Sequence, residues 1–216
     1  MGDARDDTRA VHGAPSDHDG EPGRPLTTPI ERASTYAFPD TAAVAAAGHG
    51  DAARFYMRYG HPNYVAVEAS FADLHGADAA CLFGSGMAAI SAALQVHGAQ
   101  GARVVVAPDL YGGTQALLAE LEARWGLVVD RLPAVTADAI AARIEGAACL
   151  LLETPTNPLL RVHDLPAIAR HTRAAGVPFL LDATFAGPVL LKPLQLGVDV
   201  VIESATKSLG GHSDLL

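Results

Sequence analysis

The chain has 216 residues, 50% hydrophobic and 18% charged, which is enough apolar material for a folded core. Its 15 Lys and Arg residues against 24 Asp and Glu residues give a net charge of −9, which argues against nucleic-acid binding. No apolar run reaches the roughly 18 residues of a membrane span, and the polar, acidic start does not resemble a secretory signal, so we expect no membrane partner.

The cysteines and lysines add two expectations. Cys81 and Cys149 both lie inside apolar runs, which favours buried free thiols over a disulfide and fits a cytoplasmic location. Thirteen of the 15 basic residues are Arg, and the two lysines are Lys192 and Lys207. Because Arg stays protonated whereas Lys can act as an amine nucleophile, these two lysines are the candidates for covalent chemistry.

The first part of the chain predicts little regular structure. Residues 1–25, rich in Asp and Pro, predict a flexible arm, and residues 26–60 predict an extended segment with an Ala-rich helix at 41–47. From about residue 62, helical patterns alternate with short apolar runs. The predicted helices span 62–74, 87–96, 114–125, 137–145 and 164–175, and the predicted strands span 78–83, 103–107, 127–132, 148–152, 177–182 and 198–202. This alternation indicates an α/β fold with a mostly parallel sheet sandwiched by helices.

Ligands of such sheets bind beyond the carboxyl ends of the strands, so the polar residues that follow each apolar run are the candidate site. They form five segments, at 84–87, 108–111, 153–157, 182–184 and 203–207. We expect all five to meet on one rim.

Two of these segments carry ambiguous signals when taken singly. The Gly84-Ser85-Gly86 turn at a helix start suits an anion such as phosphate, but it also fits an ordinary strand-to-helix turn. Asp182 could pair with a cationic ring nitrogen, or it could cap the next element.

Lys207 follows the hydroxyl residues Ser204 and Thr206, whereas Lys192 has the sequence context of a solvated surface amine. A phosphate cup, a carboxylate and an amine on one rim are what pyridoxal phosphate requires, and Tyr111 could stack on its ring. No metal site is predicted. A nicotinamide-dependent Rossmann enzyme is the competing interpretation, but no GxGxxG follows the first strand.

Eight segments then point to a family. They are TRAVHG at 8–13, STYAF at 34–38, YMRYGHPN at 56–63, SGMAAI at 85–90, DLYGGT at 109–114, ETPTNP at 153–158, DATFAGP at 182–188 and SATKSLGGHSD at 204–214. In these segments the chain resembles the pyridoxal-phosphate enzymes of cysteine and methionine metabolism, which include cystathionine γ-synthase, cystathionine γ-lyase, O-acetylhomoserine sulfhydrylase and methionine γ-lyase.

The resemblance implies a fold-type I PLP-dependent transferase fold with a seven-stranded type of sheet. It implies an arm and extended segment at 1–60 that contacts a neighbouring subunit, and a large PLP-binding α/β domain at 61–216. It also implies that the chain ends after the Schiff-base lysine, without the C-terminal domain whose arginine grips the substrate carboxylate. The chain would then be a fragment, or another chain would supply the missing half.

The resemblance also implies residue roles. Lys207 is the Schiff-base lysine and proton shuttle, Asp182 pairs with the pyridine nitrogen, and Tyr111 stacks on the ring. The other cofactor-binding candidates are Ser85, Gly86, Met87, Asn157, Thr184, Ser204 and Thr206. Tyr56 and Arg58 are expected to reach the phosphate of an adjacent subunit in a homo-oligomer, a dimer of dimers.

The implied activity is elimination or replacement at Cγ of a sulfur amino acid or an O-acylhomoserine. A cofactor-binding part without activity of its own, an O-acetylhomoserine sulfhydrylase and a methionine γ-lyase are the alternatives. Gly113 favours the cystathionine enzymes, since methionine γ-lyases typically carry Cys there. Departures from the family pattern occur at His61-Pro62-Asn63, Ala183, Glu203 and Ser208.

Overall fold

The computed structural model describes residues 23, 25, 27–49 and 54–215. They fall into two compact units that divide between Leu82 and Phe83. The arm predicted at 1–25 lies outside the described residues, apart from Gly23 and Pro25.

The described residues of the first unit contain two helices at their predicted positions, α1 (Thr41–His49) and α2 (Pro62–His75). An isolated antiparallel bridge joins Thr35 to Tyr56. The side chain of Asn63 donates to the carbonyl of Pro29 at 2.7 Å and accepts from the N–H of Glu31 at 2.9 Å. Asn63 therefore ties the extended segment to the first turn of α2.

The second unit alternates helices and strands in the predicted order. Its elements are α3 (Gly86–His97), β1 (Arg103–Val106), α4 (Gly112–Trp125), β2 (Val128–Arg131), α5 (Ala137–Ala141), β3 (Cys149–Glu153), α6 (Leu165–Ala175), β4 (Phe179–Asp182), α7 (Gly187–Leu190), a 3₁₀ turn (Pro193–Leu196) and β5 (Val200–Ile202). Asp164 caps α6 by accepting from the N–H of Ala167, and Gly176 ends it with a left-handed φ of 65°, which glycine adopts without strain.

The strands form one parallel sheet in the order β2-β1-β3-β4-β5. The central strands β3 and β4 are buried at every residue, as expected where helices cover a parallel sheet. Their register pairs Glu153 with Asp182 at the carboxyl edge. This register places two carboxylates next to each other at the rim where ligands of such folds bind.

Three local predictions are wrong. Residues 78–83 form no strand, and Leu82 and Phe83 are 43% and 41% exposed. The N–H of Leu82 donates to the carboxylate of Glu68 rather than to a neighbouring strand. The helix predicted at 137–145 ends at Ala141. Cys81 is exposed whereas Cys149 is buried, although both are free thiols as predicted.

The helices of the described ranges are all too short or too polar to cross a membrane.

Candidate active site

The five predicted rim segments meet at one cavity of about 210 Å³. Each segment contributes to its wall, and all of the lining residues belong to the second unit. They are Ser85, Gly86, Met87, Ile90, Tyr111, Glu153, Asn157, Asp182, Thr184, Phe185, Ile202, Ser204, Thr206 and Lys207. The convergence on one rim, expected from the sequence, is confirmed, and the volume suits a small molecule.

The start of helix α3 forms one end of the cavity. Ser85 caps the helix, its hydroxyl accepting from the N–H of Ala88 at 3.1 Å while its carbonyl accepts from the N–H of Ala89. The remaining N–H groups of this turn belong to Gly86 and Met87, which line the cavity. The helix start therefore offers donors and a positive field to an anion.

Gly86 also approaches Ser204 closely. A Cβ atom at position 86 would lie 2.8 Å from the Cβ of Ser204, which is shorter than any tolerable contact. Only glycine lets the start of α3 come this near to the Ser204–Lys207 segment. The backbone donors of α3 and the hydroxyls of Ser204 and Thr206 are thereby brought to one cavity.

Asp182 ends the buried strand β4 and is 7% exposed. Burial raises the pKa of its carboxyl group, while hydrogen bonds from the hydroxyl and the N–H of Thr184 act in the opposite direction. The Thr184 N–H donates to the carboxylate at 3.0 Å. The Thr184 hydroxyl also accepts from the N–H of Ser204 at 3.0 Å, so Thr184 connects the ends of β4 and β5.

Glu153 ends β3 and is 5% exposed. One of its carboxylate oxygens accepts from the N–H of Tyr111 at 2.5 Å, and the other accepts from the N–H of Asn157 at 2.7 Å. Burial raises the pKa of Glu153 to about 7, and the nearby Asp182 adds to this effect while both N–H groups oppose it.

The ring of Tyr111 forms a side wall of the cavity and is 45% exposed. A Cβ atom at position 113 would lie 2.6 Å from Cε1 of this ring and 3.1 Å from the sulfur of Met87. The ring thus occupies space that only a glycine at position 113 leaves free.

Lys207 lies on an exposed turn after β5 and lines the same cavity as Asp182, Ser204 and Thr206. Its backbone N–H donates to the carbonyl of Ser204 at 3.2 Å, which closes the turn. Lys192 is half-buried and does not line this cavity.

Tyr56 and Arg58 belong to the first unit. The guanidinium carbon of Arg58 lies 4.9 Å from the centroid of the Tyr56 ring and 5.6 Å from that of Tyr59. Arg58 is exposed.

The residues of the cavity fit pyridoxal phosphate. The donor set combines a helix start and hydroxyls for a phosphate, a buried carboxylate for a cationic nitrogen, an aromatic wall for a flat ring and a primary amine. The absence of a side chain at Gly86 lets the backbone N–H groups of this helix start lie close to Ser204. In the described part of the chain, no three His, Cys, Asp or Glu residues cluster as they would around a metal ion.

Two features of the site were not anticipated. Glu153 received no role from the sequence, although it follows an apolar run just as Asp182 does, and that parallel is the signal that could have revealed it. Gly113 was noted for its family context, but its close fit to the Tyr111 ring depends on the backbone path, which the sequence does not display.

Comparison with known proteins shows which family the chain is similar to. The family model described as Cys/Met metabolism PLP-dependent enzyme matches residues 7–216. A chloroplastic cystathionine β-lyase from Mimosa pudica is 39% identical over 197 residues, which cover 91% of this chain and 41% of that protein. A cystathionine γ-synthase from Mycobacterium leprae is 41% identical over 162 residues, covering 74% and 42% respectively.

Among solved structures, a cystathionine γ-lyase from Lactobacillus plantarum, complexed with L-serine, superposes with a TM-score of 0.85 and 35% identity. The match covers 99% of this chain and 53% of that one. The chain thus spans about half the length of the proteins it resembles.

Proposed function

Because this chain belongs to the Cys/Met metabolism PLP-dependent enzyme family, we propose that it forms the pyridoxal-phosphate-binding part of a trans-sulfuration enzyme. The substrate class is a sulfur amino acid or an O-acylhomoserine, and the reaction is elimination or replacement at Cγ. The observation that supports this most is the meeting of Lys207, Asp182, Tyr111 and the start of α3 at one cavity.

When bound, pyridoxal phosphate supplies an aldehyde that amines attack and a ring that draws electrons from the substrate. The N–H groups of Gly86 and Met87 and the hydroxyls of Ser204 and Thr206 bind the phosphate. Asp182 holds a proton on the ring nitrogen, because a buried carboxylate favours a cationic partner. Tyr111 orients the ring by stacking, and Asn157 lies where it can donate to a ring or substrate oxygen.

Lys207 supplies the primary amine of the proposed site. Its amine would bind the cofactor covalently and, as a free base, would accept the proton from the substrate α-carbon. For this step the Nζ atom must carry a free electron pair.

The exact reaction distinguishes the relatives from one another. One relative is named a β-lyase, and others are a γ-synthase and a γ-lyase. The name of the Mimosa relative supports elimination at Cβ as a second candidate. Both candidates use the same lysine, aspartate and tyrosine.

A neighbouring subunit completes our proposal. We place Tyr56 and Arg58 at the phosphate of an adjacent copy in a homo-oligomer. An exposed guanidinium already oriented by two tyrosine rings suits a bidentate grip on a phosphate. If Tyr56→Phe and Arg58→Ala each bound pyridoxal phosphate as tightly as the wild type, this placement would be contradicted.

The proposed function is tested with the 216-residue chain, with Lys207→Ala, and with Lys192→Ala as the matched control. After incubation with pyridoxal phosphate, the wild type and Lys192→Ala should show an absorbance band at about 420 nm, as lysine-bound cofactor does. Borohydride should abolish the band and leave a pyridoxyl mass on the peptide that contains Lys207.

Lys207→Ala should show neither band nor label, and retention of both would refute the assignment. Assays with cystathionine and with an O-acylhomoserine then separate an active enzyme from a part that binds the cofactor without turnover. Cofactor labelling without turnover of either substrate would support a part that binds the cofactor but has no activity of its own.

A further inference from the structure

We propose that Glu153 is a positioning residue, whose two carboxylate oxygens hold the backbones of Tyr111 and Asn157 at the wall of the cavity. This inference rests on the proposed function, because the value of holding these two residues lies in the cofactor they are expected to contact. The hydrogen bonds themselves exist in the structure without it.

The two held residues come from separate connections. Tyr111 directly precedes α4 on the connection from β1, and Asn157 lies on the connection from β3 to α6. Neither connection is fixed by sheet pairing at these residues. One carboxylate accepts from both, at 2.5 Å and 2.7 Å, and therefore sets their positions relative to each other.

The chemistry requires a carboxylate at this position. Both contacts are backbone N–H donors, and an ionised carboxylate presents an acceptor oxygen to each of them. A glutamine would present one oxygen and one NH₂ group, so that a donor would face a donor. Because Glu153 is 5% exposed, water has little access to replace the lost bond.

The position is also an unfavourable one for a charge. Glu153 pairs in register with Asp182, and burial together with that second carboxylate raises its pKa to about 7. A loop that needed only to be anchored could use a neutral side chain at lower free energy. The presence of an acid here agrees with a requirement for two simultaneous acceptors at the cavity.

The test compares Glu153→Gln with Asp199→Asn. Asp199 is a matched control, because its carboxylate also accepts a backbone N–H, that of Phe179 at 2.8 Å, but at the first residue of β4, on the edge opposite the cavity. Three quantities are measured in each protein: amide hydrogen exchange resolved to single residues, the dissociation constant for pyridoxal phosphate, and the circular dichroism of the bound cofactor.

In Glu153→Gln, exchange at the amides of Tyr111 and Asn157 should accelerate by about tenfold or more, as expected for losing a buried hydrogen bond. The dissociation constant should rise by a similar factor, and the cofactor dichroism should change. In Asp199→Asn the amide of Phe179 should exchange faster, while the cofactor affinity and dichroism stay as in the wild type. If Glu153→Gln does not fold, Glu153→Asp, which keeps the charge but shortens the reach, should accelerate the same two amides.

The outcomes separate the two claims. If the wild type binds no pyridoxal phosphate, the proposed function fails, and the exchange measurement still tests the hold on Tyr111 and Asn157. If the wild type binds the cofactor but Glu153→Gln matches Asp199→Asn in affinity and dichroism, the positioning role is overturned. Unchanged exchange at both amides in Glu153→Gln would overturn it as well.

Discussion

Two groups of carboxylates in the sheet differ in their hydrogen-bond and ion-pair partners. On the edge strand β2, Asp130 accepts from Arg103 at 3.1 Å and from Arg143 at 2.6 Å, so its charge is balanced within the chain. At the carboxyl ends of β3 and β4, Glu153 and Asp182 accept hydrogen bonds from backbone N–H groups and a hydroxyl.

This difference separates a structural carboxylate from a functional one. The Asp130 cluster is complete as it stands, because two guanidinium groups offset its charge. Glu153 and Asp182 are more deeply buried, and their pKa values are raised, so they bind a proton or an external cation more readily. We therefore place the cationic group of the ligand beside this pair of buried acids, which neutral donors hold at the cavity.

The largest expected effect is that of Asp182→Asn. Loss of the charged partner for the ring nitrogen should weaken pyridoxal phosphate binding by about tenfold to 100-fold, the range for a hydrogen bond to a charged group. The free energy of unfolding of the cofactor-free protein should stay the same or increase, because a buried charge is removed. Equilibrium titration and urea unfolding measure the two quantities.

Asp130→Asn is the counterpart of Asp182→Asn, and we expect it to change stability rather than cofactor affinity. It should lower the free energy of unfolding by about 1 kcal/mol, as for a partly exposed ion pair, and leave cofactor affinity unchanged. If Asp182→Asn lost stability but kept affinity, the distinction between the two groups would be wrong.

Gly113→Ala should have the next largest effect. The added methyl group would meet the Tyr111 ring at 2.6 Å and force it to move, at a cost of about 1–3 kcal/mol for overpacking. We expect cofactor affinity to fall by about tenfold. Gly112→Ala is the matched control, because a Cβ atom at position 112 meets nothing within 4 Å and should change affinity little. Equal affinities in the two variants would show that the ring position does not matter for binding.

The smallest expected effect concerns pH. Because the pKa of Glu153 rises from its ordinary 4.5 to about 7, the folded chain holds this proton more tightly than the unfolded chain. Its contribution to stability is therefore fully present below about pH 4.5 and is lost as the pH rises to 7, and Asp182 acts in the same direction.

Glu153→Gln should flatten the decline of the unfolding free energy between these pH values, as measured by urea titrations at several pH values. A stability that rises with pH across this interval, and does so equally in the wild type and the variant, would contradict the sign.

Much of the second unit was predictable because its fully buried strands β3 and β4 are continuous apolar runs that end in an acidic residue. This pattern located β3, β4 and the rim segments within a few residues. The run at 78–83 has the same appearance, yet it forms no strand, because a strand requires a pairing partner that an apolar run does not specify. The wrong prediction that Cys81 is buried has the same cause, because it assumed that this run forms a strand.

The site was predictable in its composition rather than in its connections. Lys207, Asp182 and Tyr111 could be placed on the rim because each follows an apolar run, and all three line the cavity, while their roles toward a cofactor stay predictions. The role of Glu153 depends on two backbone N–H groups, one of them 42 positions away in the chain, and such partners leave no trace in residue type. The roles of Tyr56 and Arg58 remain predictions.

The hydroxyl of Thr184 joins the two halves of the proposed site. It donates to the carboxylate of Asp182 and accepts from the N–H of Ser204, and a hydroxyl has only one proton to donate. Titration of Asp182 would therefore be transmitted to the residue that we assign to the phosphate. One hydroxyl thus holds both the carboxylate that we assign to the ring nitrogen and the backbone of the residue that we assign to the phosphate.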